Sequence, residues 1–124
     1  MSLETILQGI LDPESGLLAA ALMDADGIPV AEAHGALAAS RIPDSGLASL
    51  AVEFGRVLGE AQKASDAFGG GLAEAVTIQM AELTLVFTGL EAGLVLVVAV
   101  APDGNLGKAR YLIRRNLLEI REQI

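Results

Sequence analysis

The segment Asp103-Gly104-Asn105-Leu106-Gly107-Lys108 follows an apolar run and precedes a helical one, so its glycines could cradle a phosphate at a helix start. Gly104 and Gly107 lack the spacing of a phosphate-binding loop, however, and Ala109 stands where a hydroxyl would be needed to hold magnesium. Asn105 as a helix cap explains the segment. Gly69-Gly70-Gly71 lacks the later glycine of a dinucleotide fingerprint and reads as a helix stop. Asp24 and Asp26 have the opening spacing of a calcium loop, but Pro29 and Val30 follow in place of further oxygen ligands, which leaves a turn. His34 is the single histidine and has no serine and carboxylate spaced to form a triad with it. Ser40, Ser45 and Ser49 gather where a long helix begins and serve as caps. The row Arg110, Arg114, Arg115 could meet an acidic partner, anionic lipid or phosphate; such a row also balances the negative end of a helix.

Composition narrows the chemistry further. The 124 residues include no cysteine, which removes disulfides, thiolate metal sites and a cysteine nucleophile, and one histidine cannot build a metal cage. No catalytic, cofactor or metal site is expected. Sixteen acids against eight bases give a net charge of −8, which repels a nucleic-acid backbone, and the four aromatics offer no base-stacking platform. The charge is uneven: residues 1–107 hold fourteen acids and three bases, residues 108–124 two acids and five bases. At 52% hydrophobic and 19% charged, the chain has more apolar side chain than a small domain hides comfortably, and the excess predicts an oligomer interface. The most apolar run, Leu94 to Ala101, is eight residues long and too short to span a membrane. Met1-Ser2-Leu3-Glu4 has no basic region before an apolar block, so a cytoplasmic protein is expected.

The elements that must position these residues follow from periodicity. Leu3, Ile6, Leu7, Ile10 and Leu11 predict a short amphipathic helix ended by Asp12-Pro13. Residues 17–24 and 28–33, joined through Ala25-Asp26-Gly27, predict a β-hairpin with Pro29 at an edge. From a cap at Asp44 or Ser45, a helix runs to Phe68 with Leu47, Leu50, Ala51, Phe54, Leu58, Ala61 and Phe68 as its apolar positions. Inside it Gly55 and Gly59 stand one turn apart, each costing about 1 kcal/mol relative to alanine. With Ala48 and Val52 they form a small-residue stripe where another backbone can approach. Three strands follow, 75–80, 83–88 and 94–101, antiparallel because their links are short. The last lacks polar alternation and should be central. A helix from Asn105 closes the chain, and Gly35 to Pro43 is expected to be a mobile connection. The whole predicts one domain over 1–124, an α+β sandwich: a five-stranded antiparallel sheet with helices on both faces, in the order α-β-β-α-β-β-β-α.

With that order in place, the hairpin Leu18-Ala19-Ala20-Ala21-Leu22-Met23-Asp24-Ala25-Asp26-Gly27-Ile28-Pro29-Val30-Ala31 resembles the opening hairpin of the roadblock/dynein light chain (LC7) family. The run Asn105-Leu106-Gly107-Lys108-Ala109-Arg110 through Ile120 is similar to that family's closing helix. The resemblance implies a homodimer in which the long middle helices and third strands of two subunits meet. It further implies, as for MglB-type bacterial regulators, a non-catalytic protein that binds a small Ras-like GTPase and modulates its nucleotide state or location. The dimer contact is expected at Ala48, Val52, Gly55 and Gly59, and the GTPase contact at Arg41, Glu53, Arg56, Glu60 and Lys63. Arg41 or Arg56 could act as an arginine finger, but the resemblance implies repositioning of the GTPase's own residues instead. Two alternatives stand beside this reading: a structural adaptor indifferent to nucleotide, and a small-ligand sensor with an apolar pocket between sheet and helix.

Overall fold

The computed structural model describes residues 2–11, 16–24, 26–35 and 47–124, excepting the side chains of Ala48, Leu50 and Ala92. Helix α1 spans Leu3–Ile10; Ser2 caps it, its Oγ accepting the Thr5 N–H at 3.2 Å, and Ile6, Leu7 and Ile10 are buried. The expected stop at Asp12-Pro13 lies outside the described residues.

Strands β1 (Leu17–Met23) and β2 (Pro29–His34) form the hairpin. Its turn is closed by Asp24, whose Oδ1 accepts the N–H groups of Asp26 and Ile28, each at 2.9 Å, while Gly27 takes a φ of 81°. Asp24 thus makes the turn that its residue type favours, with Asp26 contributing a backbone N–H. The register steps from Leu22↔Ala31 to Met23↔Pro29, a bulge that leaves Val30 unmatched, and Pro29 opens the edge strand, where its missing donor is harmless. Alanine is a weak strand former, yet β1 is buried throughout and bonded on both sides, so tertiary context overrides propensity.

After α2 (Leu47–Phe68) come β3 (Ala75–Gln79), β4 (Thr84–Gly89), a 3-10 turn over Glu91–Gly93, β5 (Val95–Val100) and α3 (Leu106–Gln123). The sheet order is β2-β1-β5-β4-β3 with every neighbouring pair antiparallel, so β5 is central, as its unbroken apolar run requires. Alternation along β5 divides the core. Leu96, Val98 and Val100 pack with α1 and α3, whereas Val97 and Ala99 pack with Leu47, Ala51 and Leu58 of α2. The helices therefore lie on both faces of an α+β sandwich, as predicted. Asn105 caps α3, its Oδ1 accepting the Lys108 N–H at 2.9 Å, and so fills the role that a phosphate would otherwise take. Among the described residues no helix is long and apolar enough to cross a membrane.

Candidate functional site

Helix α2 rides on one face of the sheet and shows four different sides. Successive residues rotate by about 100°, so the three buried anchors, Leu47, Ala51 and Leu58, define the inner side. Opposite them Glu53, Arg56, Glu60 and Lys63 are all exposed. Lys63 Nζ lies 3.2 Å from Glu60 Oε1 with both side chains about three-quarters exposed, a surface pair worth at most about 1 kcal/mol. The structure thus brings four of the five expected partner residues onto one charged, outward side. The fifth, Arg41, and the expected caps Asp44 and Ser45 lie outside the described residues.

The two flanks differ sharply. One carries Phe54, Val57, Ala61, Ala64 and Phe68 at alternating steps of three and four residues, the spacing of a helix-pairing seam. Phe54 is half-buried and packs against the core on the α2 side, as expected, but at Phe68 the structure corrects the sequence reading, which placed that residue on the core stripe. Phe54 and Ala61 are only half-buried, Phe68 is 91% exposed, and Val57 is 45% exposed. The reason is that Leu47, Ala51 and Leu58, with Phe54 half-buried between them, seat α2, and the stripe turns away from the sheet beyond Leu58. The flank was missed in sequence because Val57 and Ala64 were left out of the apolar pattern; the three-four alternation is the signal that would have found it. Beneath this layer, β3 forms one border of the sheet, so its outer backbone groups have no strand partner among the described residues.

The other flank holds the expected dimer stripe: Val52 is exposed, Gly55 half-buried and Gly59 exposed, with Ala48 on the same flank by position. Instead of meeting the seam side, Val52, Gly55 and Gly59 border a cavity of about 590 Å³ between α2 and the ends of β1, β4 and β5. Among the described residues, a Cβ added at Gly55 or Gly59 would meet nothing within 4 Å.

Gln62, which sequence reasoning passed over, fixes the far end of the helix. Its Oε1 accepts the Ala73 N–H at 2.8 Å and its Nε2 donates to the Gly71 carbonyl at 3.0 Å, while Ser65 Oγ donates to the same carbonyl at 2.7 Å. Gly69, with a φ of 70°, ends α2 as its residue type predicts. Of the arginine row, Arg110 Nη2 donates to Thr77 Oγ1 at 3.1 Å, and Arg114 and Arg115 are exposed. Arg121 pairs with Glu91. The Glu91 carboxyl is held below its ordinary range, first by its own backbone N–H; desolvation opposes this, and the charge and hydrogen bond of the Arg121 guanidinium add to the lowering. His34 is exposed at the end of β2.

No family model matches the chain, and no curated protein matches it. Solved structures do. A roadblock/LC7 domain from Streptomyces avermitilis superposes with a TM-score of 0.80 at 17% identity, covering 98% of this chain and 97% of that one. An MglB in a tetrameric arrangement gives 0.81 at 20% identity, covering 96% and 85%. MglC from Myxococcus xanthus gives 0.67 at 26% identity, with both chains covered in full. Element order, sheet topology and these superpositions agree: the chain has the roadblock/LC7 fold, the fold also found in MglB and MglC.

Proposed function

We propose that this chain is a non-catalytic, self-associating regulator that binds a small Ras-like GTPase and modulates its nucleotide state or location. One observation carries the reading: on a fold shared with MglB and MglC, α2 presents Glu53, Arg56, Glu60 and Lys63 outward beside an unpartnered apolar flank. Self-association uses that flank, Phe54 to Phe68, together with the open edge of β3, which leaves the charged side free and presents it twice. Mixed charges at such a surface steer and orient a partner more than they add affinity. Its contribution to GTP hydrolysis, as the resemblance to MglB-type regulators implies, is to position the GTPase's own groups.

The test is capture on the immobilised protein of a small GTPase loaded with a non-hydrolysable GTP analogue or with GDP. The expected result is retention of the GTP form alone, lost on the double change Arg56→Glu and Lys63→Glu. Equal retention of both forms supports a nucleotide-indifferent adaptor, and retention of neither removes the GTPase from the account.

A further inference from the structure

The cavity beside the glycine flank of α2 shares Arg56 with the charged side of the helix, but its chemistry is distinct. Its apolar wall is made by Met23, Leu58, Phe87, Leu90 and Val97. At about 590 Å³ it falls within the range of about 300–1,000 Å³ typical of small-molecule sites. We propose that it is a binding site for an uncharged, predominantly apolar small molecule.

Three observations lead there. Gly55 and Gly59 each weaken an exposed helix by about 1 kcal/mol relative to alanine. Among the described residues nothing requires their lack of a side chain, since a Cβ on either has no neighbour there within 4 Å. What the glycines maintain is open volume along one wall of the cavity. Next, the polar groups in the lining are already engaged. Asp24 accepts the two turn N–H groups, Gln62 is bonded through both its oxygen and its nitrogen, and Glu91 is paired with Arg121. Lastly, the other two charged lining residues, Asp26 and Arg56, are exposed and opposite in sign. A ligand carrying a net charge would surrender its hydration to a wall whose remaining charges are solvent-exposed and opposite in sign, and so compensate it poorly, and the net charge of −8 opposes anions in particular. An uncharged apolar molecule suffers neither penalty and buries surface against five apolar side chains.

A matched pair of probes tests the proposal on the full chain: neutral N-phenyl-1-naphthylamine, and its 8-sulfonate, which has the same aromatic frame and one negative charge. The neutral probe is expected to bind saturably at one site per chain, and the sulfonate at least tenfold more weakly. Gly59→Leu, which fills the cavity from the helix, should weaken the neutral probe at least tenfold. Since that variant can also perturb folding, a second reporter is independent of it. The chain has no tryptophan, and Leu72, which lines the cavity, is 51% exposed. Tryptophan emission from Leu72→Trp should be quenched saturably by the neutral probe, while emission from Val57→Trp on the opposite flank should not. Absence of saturable binding, a sulfonate that binds as well as the neutral probe, or equal quenching at both tryptophans overturns the proposal. So does binding confined to conditions where sedimentation finds only monomer, because a second copy would then be the occupant.

Discussion

Gln62 holds Ala73 across the turn that follows α2: the side-chain Oε1 accepts the Ala73 N–H at 2.8 Å, eleven residues along the chain. The same amide donates to the Gly71 carbonyl and to Asp66 Oδ1, so one side chain joins the last turns of the helix to the segment that enters β3. Gln62→Ala strips a partner from a part-buried backbone N–H and is expected to destabilise the protein by about 1–2 kcal/mol. Urea titration followed by far-ultraviolet circular dichroism would show this as a lower midpoint with an unchanged slope.

The seam flank makes a prediction opposite to that of the glycine stripe. Val57→Asp combined with Phe68→Ser should convert a two-chain species to a one-chain species in sedimentation velocity, because a charge in an apolar helix pairing has no partner there. Gly59→Leu should leave the two-chain species intact. The reverse pattern would return the contact to Ala48, Val52, Gly55 and Gly59.

Two glycines should respond in opposite directions to the same methyl group. Gly55→Ala adds a Cβ that meets nothing within 4 Å among the described residues and improves helix propensity, so thermal stability should rise by about 0.5–1 kcal/mol. Gly27→Ala places a Cβ 3.1 Å from Val52 Cγ2 at a φ of 81°, and stability should fall by about 1 kcal/mol or more. Differential scanning calorimetry of both variants decides the pair.

Glu91 provides a pH test. Its carboxyl is lowered in the folded protein from its ordinary value of 4.5, so the folded state binds the proton less readily than the unfolded chain. Its stabilising contribution is therefore present above about pH 4.5 and is lost as pH falls through the lower folded value. Glu91→Gln should be less stable than the parent at pH 7 and converge with it in more acid solution. Because Glu91 and Arg121 are both solvent-accessible, high salt should narrow the gap at pH 7 as well.

Much of the fold was legible in the residues themselves because the signals are local. The unalternated run of β5 requires apolar cover on both faces and so a central place; Asp24 and Gly27 fit a tight turn; Asn105 offers a capping oxygen where a helix must start. These follow from chain stereochemistry and from satisfying nearby backbone groups. The assignment of the sides of α2 was not local. Periodicity gives a helix an apolar side, but how far the helix is rolled on the sheet depends on which side chains fit the β1 and β5 surface. Leu47, Ala51 and Leu58 fit it, and that choice turned Val57 and Phe68 outward and brought Gly55 and Gly59 to the rim of a cavity. Contacts such as Gln62 with Ala73, or Arg110 with Thr77 across 33 positions, likewise exist only once strands and helices have packed. The sequence by itself determined the elements, their order and the two-faced core; the tertiary structure alone decided which side of α2 faces what, because the roll of a helix is fixed by the shape of the surface beneath it.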